Sequence, residues 1–271
     1  MELSESTLTR PLAPGALPLE ALLAGKQARS ALVQVAIPAR DEEATIGPIV
    51  ETIRRELMDE VGLVDTLVVV DDASSDGTAA AAARAGAEVV SGPGEGKGEA
   101  MASALSLFPP ERESLVVFLD GDVTGFGAHF VTGLLGPLLT GEEVELVKGR
   151  YARPLDAAGR GGGRVTELVA KPALSLYFPP LAAIDQPLAG ETALRASLAK
   201  EVGLAGGYAV EVALLIDTYL LAGPGAIAEV DLGVRRHRNR PLGELVPQAH
   251  EVLTAILGRA GVLPERRGGG R

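Results

Sequence analysis

Two acidic motifs, each directly after an apolar segment, are the strongest chemical signal in the chain. Asp120 and Asp122 follow the apolar residues 115–119, and a second acid pair at 71–72 follows residues 67–70. Open α/β sheets bind ligands at the carboxyl ends of their strands, which is where these carboxylates would lie. Carboxylates at i and i+2 bind a hard divalent cation when substrate phosphates supply further ligands. A D-x-D triplet alone also suits a solvated turn, but the two motifs together indicate a metal–nucleotide site.

The segment after the first apolar run carries further candidate ligands. Pro38 ends that run, and the charged residues 40–43 follow it. At the end of a first strand, these acids would lie where a nucleotide base or ribose binds. The alternative is a charged helix start, because Glu42 and Glu43 in a first turn suit the helix dipole.

A Gly-rich segment at 92–98 contains Lys97 and suggests a phosphate loop. The P-loop pattern requires Gly five residues before its Gly-Lys pair and Ser or Thr directly after it, but these positions hold Ser91 and Gly98. Lys97 is still a candidate phosphate contact, through its charge and the backbone amides of a Gly-rich helix start. An exposed surface lysine is the competing interpretation.

Two later segments have the chemistry to bind an anion. Gly163, Arg164 and Thr166 offer amides, a guanidinium and a hydroxyl, which suit an acceptor phosphate or carboxylate; a plain linker is the alternative. The densest basic cluster, residues 235–241, places four arginines around His237. In a chain with a net charge of −11, such a cluster indicates an anion site more than a solvated face. His237 is also a candidate nitrogen ligand for the metal, or else a surface histidine in a basic turn.

The elements that must position these residues alternate along the chain, which predicts βαβ units and a mostly parallel sheet covered by helices. The predicted strands span residues 32–37, 67–70, 88–90, 115–119, 144–147 and 226–230. The predicted helices span residues 44–58, 76–85, 97–107, 164–177, 210–221 and 242–257. Before them, residues 1–30 are expected to form a loosely packed arm with one short helix at 19–23.

Composition limits the classes of protein to which the chain can belong. With 271 residues, of which 46% are apolar, it can bury a large core in one or two domains. The absence of cysteine excludes disulfides and thiolate metal sites, and the negative net charge disfavours nucleic-acid binding. Because no apolar stretch is long enough to span a bilayer and no signal-peptide pattern is present, we expect a cytoplasmic protein.

Taken in order, the motifs resemble those of the retaining GT-A glycosyltransferases of the glucosyl-3-phosphoglycerate synthase family, which includes mannosyl relatives. The resemblance covers roughly residues 30–260. Its motifs are P-A-R-D-E-E-A-T-I at 38–46, V-V-D-D-A-S-S-D-G-T at 69–78, G-K-G-E-A at 96–100, D-G-D at 120–122, G-R-V-T-E-L-V-A-K-P at 163–172, Q-P-L-A-G-E at 186–191, G-Y-A-V-E-V at 207–212 and L-G-V-R-R-H-R-N-R-P-L at 232–242. The first four are shared by many GT-A enzymes, whereas the last four are more particular to this family.

The resemblance implies a role for each candidate residue. Asp122 and His237 would ligate Mg²⁺ or Mn²⁺, and Glu191 would line the sugar pocket. The implied catalytic residues are Asp120, Asp122 and Glu211. The residues implied to bind the nucleotide sugar are Pro38, Ala39, Glu42, Asp72, Lys97, Asp120, Tyr208, Glu211 and Arg235. The acceptor, 3-phosphoglycerate, would be held by Gly163, Arg164 and Thr166.

The implied fold is α/β, a GT-A (Rossmann-like), mostly parallel sheet flanked by helices. We expect an N-terminal arm at 1–30, a nucleotide-sugar-binding domain at 31–150, an acceptor-binding and C-terminal helical part at 151–262, and a disordered tail at 263–271. The implied assembly is a homodimer, with neither nucleic acid nor membrane as a partner.

The implied reaction moves glucose or mannose from UDP-glucose, GDP-glucose or GDP-mannose to the 2-hydroxyl of 3-phosphoglycerate. Because retaining GT-A enzymes often lack an evident nucleophile, the resemblance favours front-face attack by the acceptor hydroxyl. The alternatives are a GT-A enzyme that acts on a lipid or polysaccharide and a non-catalytic nucleotide-sugar-binding protein.

Overall fold

The computed structural model of the protein describes residues 9–12, 17–107, 113–141, 143–152, 163–235 and 242–263. Within these ranges the strands are β1 (Thr9–Leu12), β2 (Leu32–Ala39), β3 (Thr66–Asp71), β4 (Glu88–Ser91), β5 (Ser114–Phe118), β6 (Leu146–Ala152), β7 (Thr192–Arg195) and β8 (Ile227–Val234). These eight strands form one sheet, in the order β1-β8-β6-β7-β5-β2-β3-β4. Strand β7 runs antiparallel to both of its neighbours, and every other pair is parallel. The predicted mostly parallel sheet is confirmed.

Helices cover both faces of the sheet, because successive strand residues point to opposite sides. The helices are α1 (Leu19–Arg29), α2 (Glu43–Thr52), α3 (Thr78–Ala85), α4 (Lys97–Leu105), α5 (His129–Thr140), α6 (Lys171–Tyr177), α7 (Ala196–Val202), α8 (Val210–Ala222) and α9 (Leu242–Arg259). Val35 and Ile37 of β2 pack into one apolar cluster with α1, α2, α3 and α5, whereas Ala36 packs into a second with α4 and α6–α9. Helix α2 continues as a π-helical segment, Ile53–Asp59, and a second π-helical segment, Thr166–Ala170, leads into α6.

Every strand and helix that the sequence predicts has a counterpart, with shifted ends. The strand expected at 144–147 starts two residues later and runs to Ala152, and the one expected at 226–230 continues to Val234. The sequence pattern missed α5, α7, β7 and β1. The boundary expected between residues 150 and 151 falls inside β6, which pairs with β7 and β8 in the same sheet.

Residues 17–30, the part of the expected arm whose packing the structure describes, are better packed than predicted. Helix α1 is 11 residues long, more than twice the predicted length, and Leu22 is buried against the core. The guanidinium of Arg29 donates hydrogen bonds to the carbonyls of Leu139 (3.2 Å) and Gly141 (3.0 Å) at the end of α5. Apolar burial and these two bonds fix α1 to the domain.

The order of the strands determines where a ligand can enter. The chain lays β3 and β4 on one side of β2 and then returns to place β5 on the other side. At such a reversal the loops after the two central strands diverge and leave a crevice at the carboxyl end of the sheet. Asp71 is the last residue of β3, and Asp120 and Asp122 lie two and four residues beyond the end of β5. No helix among the described residues has the length and hydrophobicity needed to cross a bilayer.

Candidate functional site

A cavity of about 430 Å³ lies at the carboxyl ends of β2, β3 and β5. It is bounded on the far side by the start of α8 and by one face of α9. Apart from Glu191, the cavity brings together the candidate residues that the structure describes: Pro38, Ala39, Glu42, Asp72, Lys97, Asp120, Asp122, Gly163, Arg164, Thr166, Tyr208, Glu211 and Arg235. His237 lies outside the described residues, so its predicted place in the site stays a prediction.

Asp120 is at the centre of the charged groups. Lys97, the first residue of α4, places Nζ 2.5 Å from Asp120 Oδ1 and 2.6 Å from Glu211 Oε1. Arg235, at the end of β8, places Nη2 2.6 Å from Asp120 Oδ2. The two oxygens of one carboxylate therefore contact two different cations, one from each side of the crevice.

Arg235 links several acidic side chains. Its Nη2 also lies 2.8 Å from Asp122 Oδ1, and its Nε lies 3.1 Å from Glu191 Oε1. Nη1 donates a hydrogen bond of 2.9 Å to the hydroxyl of Tyr151, and the guanidinium lies 5.2 Å from the centre of that ring. A planar guanidinium with a fixed fork of donors suits such a bridging position better than an ammonium would.

Mutual pairing keeps these groups charged despite their burial. Burial alone would raise the pKa of Asp120, but Lys97 and Arg235 outweigh it and hold that pKa well below its ordinary value. Burial likewise opposes the charge on Lys97, yet Asp120 and Glu211 raise its pKa above the ordinary value. The pKa of Arg235 is raised against burial by Glu191 and Asp120. The cavity thus holds fixed charges of both signs, which is the arrangement that recognises an anionic ligand and its counterion.

Asp72 shapes the Gly-rich loop that precedes Lys97. Its carboxylate is buried and accepts hydrogen bonds from the amides of Gly94 (2.7 Å) and Gly96 (3.1 Å). Gly96 has a φ of 129°, a conformation that side-chain-bearing residues rarely adopt, so a glycine is needed directly before the helix. Asp72 therefore positions the start of α4 and Lys97 with it, in addition to lining the cavity.

Several residues that hold or line the site were not predicted from the sequence. Glu99 Oε2 accepts the Gly207 amide at 3.1 Å, and Glu251 Oε2 accepts the Tyr208 amide at 2.7 Å. These two carboxylates fix the segment that carries Tyr208 to α4 and α9. Helix α9 also contributes Gln248 to the cavity wall. Glu99 lies within the motif at 96–100, but nothing in its spacing indicated a bond to residues more than a hundred positions away.

Glu191 differs from the expectation. The resemblance implied that it lines the sugar pocket, but its side chain is fully buried and does not border the cavity. It lies instead beneath Arg235, where burial raises the pKa of its carboxyl group against the attraction of that guanidinium. Its place in the structure is that of a support for Arg235.

The donor set fits a divalent cation that shares its ligands with a bound diphosphate. Asp122 offers its carboxylate to the cavity, with about 30% of the side chain exposed. No cluster of three His, Cys, Asp or Glu side chains able to hold a metal ion occurs within the described ranges. Mg²⁺ characteristically takes one or two carboxylates together with substrate phosphates and water, and Asp122 suits that role.

Comparison with known proteins identifies the family. Residues 34–146 match the model of glycosyl transferase family 2. The glucosyl-3-phosphoglycerate synthase of Mycolicibacterium paratuberculosis is 46% identical over 90% of this chain and 75% of its own length.

Solved structures of the same enzyme from Mycobacterium tuberculosis also match. One, in complex with Mn²⁺, UDP-glucose and phosphoglyceric acid, is 41% identical with a TM-score of 0.82 and covers 96% of this chain and 88% of its own. Another, in complex with Mg²⁺ and UDP, has the same identity and coverage and a TM-score of 0.83. The matching motifs, the shared fold and the level of identity lead to one conclusion: this chain belongs to the glucosyl-3-phosphoglycerate synthase family of GT-A glycosyltransferases.

Proposed function

We propose that this chain moves glucose from UDP-glucose to the 2-hydroxyl of 3-phosphoglycerate, with retention of configuration and with Mg²⁺ or Mn²⁺. The observation that carries the proposal is the cavity itself, in which the paired carboxylates after β5 face the segment that begins at Gly163. Further support comes from the Mycobacterium tuberculosis relative, whose complex contains UDP-glucose and phosphoglyceric acid together.

The donor side of the cavity has groups suited to each part of a nucleotide sugar. Pro38, Ala39 and Glu42 at the end of β2 would contact the base and ribose, with Asp72 behind them. Lys97 and Arg235 would face the diphosphate, since both are cations on the cavity wall and Arg235 already contacts two carboxylates there.

We propose that Asp122 and His237 hold the divalent cation. When bound, the cation would neutralise the diphosphate and stabilise it as a leaving group. In this structure Arg235 pairs with Asp122. To bind the divalent cation, the Asp122 carboxylate must therefore either contact the cation and the guanidinium at the same time or release the guanidinium.

The acceptor would lie against Gly163, Arg164 and Thr166, which offer a backbone amide, a guanidinium and a hydroxyl. Gly163 has a φ of 85°, so a glycine is required where the segment turns into the helix. The acceptor carries a phosphate and a carboxylate, both of them anions. The guanidinium matches them by charge, and the backbone amides can donate hydrogen bonds to them.

We favour front-face transfer without a covalent intermediate. The bond from the sugar C1 to the β-phosphate oxygen breaks, the acceptor oxygen bonds to C1 on the same face, and its proton passes to the departing phosphate oxygen. By its position in the family motif, Glu211 is the nearest candidate for a covalent nucleophile. Its Oε1 already forms an ion pair with Lys97 Nζ at 2.6 Å. An ammonium-paired carboxylate is a weak nucleophile but a good partner for sugar hydroxyls, so catalysis would rest on positioning and charge.

A mannosyl or guanosine-diphosphate donor is the second possibility, and a lipid or polysaccharide acceptor is the third. The experiment that separates them is a panel of UDP-glucose, GDP-glucose, GDP-mannose and UDP-galactose against 3-phosphoglycerate with Mg²⁺, and glycerol 3-phosphate as the acceptor control. We expect UDP-glucose with 3-phosphoglycerate to give the highest kcat/KM. Nucleotide-sugar binding without transfer to any acceptor would instead favour a non-catalytic binding protein.

We also propose that the protein is a cytoplasmic homodimer. Support comes from exposed apolar side chains on neighbouring elements, namely Leu168, Leu176 and Tyr177 around α6 and Val246 on α9. Light scattering should report twice the mass of the chain. A monomer at micromolar concentration would contradict the proposal.

A further inference from the structure

Lys148 lies in β6 and is completely shielded from solvent. Its ammonium donates hydrogen bonds to the carbonyl of Ala189 (2.6 Å) and to Thr192 Oγ1 (3.0 Å). Desolvating an ammonium is unfavourable, and a methionine of similar length would fill the same space without that cost. Packing alone therefore does not account for a lysine at this position.

The turn that Lys148 holds, residues 189–191, does not line the cavity but packs directly against two residues that do, Asp120 and Arg235. Gly190 packs so closely on Asp120 that a Cβ atom at this position would overlap Oδ1 of the carboxylate. The next residue, Glu191, lies beneath Arg235. Any displacement of the turn would therefore move the carboxylate and the guanidinium at the same time.

The attachment of this turn to β6 has two parts. Ordinary pairing joins Lys148 to Thr192 in register, and the amide of Gly149 donates a 2.8 Å bond to the carbonyl of Glu191. The bond from Lys148 to Ala189 reaches beyond the strand into the turn, where the hydroxyl of Thr192 donates to the same carbonyl at 3.2 Å. The ammonium, the Ala189 carbonyl and the Thr192 hydroxyl thus form a hydrogen-bonded network that is additional to the strand pairing.

We propose that Lys148 is a positioning residue for the donor: its ammonium fixes the turn at 189–191 and, through it, Asp120 and Arg235. This inference rests on the proposed function, in which those two groups contact the nucleotide sugar. The charges around Lys148 agree with it. Burial lowers the pKa of Lys148 to about 8, against the opposing attraction of Glu211 and with the repulsion of Lys97, so the ammonium is still protonated at neutral pH.

The test compares Lys148→Met with Lys26→Met. Lys26 provides a matched control, because its Nζ also holds a carbonyl, that of Gly62 (2.9 Å), and a side chain, that of Asp65 (2.8 Å), outside the cavity. Three quantities are measured for each variant: the dissociation constant of UDP with Mn²⁺ by calorimetry, the KM values for UDP-glucose and 3-phosphoglycerate, and the unfolding temperature.

For Lys148→Met we expect the UDP dissociation constant and the donor KM to rise about tenfold, the acceptor KM to change less than twofold, and the fold to persist. Lys26→Met should leave all binding constants unchanged. Equal rises in both KM values, or unchanged donor constants, would overturn the inference. If Lys148→Met does not fold, Thr192→Val replaces it in the test, because this change removes the hydroxyl that bonds to both Lys148 and Ala189. Weaker UDP binding by Thr192→Val would support the inference, and unaltered binding would contradict it. UDP binding is read directly, so a wild-type protein that binds UDP but transfers no sugar would count against the proposed function alone.

Discussion

Asp120 shows how a single carboxylate can organise a binding site. Its two oxygens contact Lys97 and Arg235, which come from α4 and from the end of β8. Each cation then reaches a second acid, Glu211 in one case and Asp122 in the other. Since the charges alternate in sign, each group is stabilised by its neighbours, and the depressed pKa of Asp120 keeps it ionised throughout the physiological range.

The acceptor assignment depends on Arg164. Arg164→Ala should raise the KM for 3-phosphoglycerate by about ten- to a hundredfold, because a charge-assisted contact to an anion contributes roughly 1.5–3 kcal/mol. The KM for UDP-glucose should change little. Steady-state kinetics with each substrate varied in turn provides the measurement, and Arg84→Ala, at an exposed position on α3, is the control. If the donor KM rises and the acceptor KM does not, Arg164 belongs to the donor side.

The mechanism depends on Glu211. Glu211→Gln keeps the shape of the side chain but removes the charge that pairs with Lys97 and favours an oxocarbenium-like transition state, so we expect kcat to fall without being abolished. Loss of a true nucleophile would abolish it. Intact-protein mass spectrometry after incubation with the donor adds a direct check: a stable hexosyl adduct on the wild type, absent from the variant, would contradict front-face transfer.

At the scale of elements, the site depends on how α4 meets the segment before α8. The backbone of Gly98 packs on residue 205, and a Cβ atom on this glycine would overlap the Ala205 carbonyl oxygen. Glu99, one residue further on, holds the amide of Gly207. The close approach of these two elements therefore sets the distance between Lys97 and Tyr208.

Gly98→Ala tests this contact. Because the overlap is with backbone, the elements must separate, and we expect a loss of roughly 1–3 kcal/mol in unfolding free energy together with weaker UDP binding. Gly258→Ala is the matched control, since this glycine is also helical and has open space around it. The control should be stabilised by about 0.5–1 kcal/mol, because alanine suits a helix better. Unaltered stability and UDP binding in Gly98→Ala would contradict the tight contact.

The elements also show what could be predicted from the sequence. The strands β2, β3 and β5 were predictable because largely apolar runs end in chemically distinctive residues. Helix α5 was missed because Gly133, Gly136 and Pro137 interrupt its pattern, although most of its side chains are buried. Strand β7 has four residues, too few to show a period.

Most residues that line the cavity could be predicted from the sequence, but the buried residues that hold them in place could not. Motif residues such as Asp122 and Arg164 line one cavity, and their roles in binding stay predictions. Glu191 was assigned to the sugar because a motif does not say which way a side chain points, and the structure turns it beneath Arg235. Lys148 escaped notice because a single lysine within an apolar strand resembles a surface position until the strand is seen to be buried on both faces.

At the scale of the whole molecule, the chain is acidic, but several of its basic side chains lie close together at one cavity. The net charge is −11, yet Lys148 and Arg235 are buried, and Lys97 is largely buried, near the same carboxylates. Fixed cations of this kind stabilise a diphosphate without the reorganisation that bulk water would require. The same burial makes the stability of the folded chain depend on pH.

Lys148 gives that dependence a definite sign. Its pKa is about 8 in the folded protein against an ordinary value of 10.5, so between these values the unfolded chain binds a proton that the folded chain has released. Stability from this group therefore rises with pH from about 8 to about 10.5. Relative to Lys148→Met, the wild type should gain stability across that window in denaturant titrations at successive pH values. Parallel curves for the two proteins would contradict a buried lysine with a lowered pKa.

The most direct test of the central claim is the structure of the product. Purified protein, UDP-glucose, 3-phosphoglycerate and Mn²⁺ are incubated together, and the product is examined by NMR spectroscopy, with EDTA and Asp122→Ala as parallel reactions. We predict glucose α-linked to the 2-hydroxyl of 3-phosphoglycerate, and loss of at least 99% of the product in both parallel reactions, on the order of two powers of ten or about 2.7 kcal/mol. A β-linked product, no transfer to 3-phosphoglycerate, or full activity in excess EDTA would contradict it.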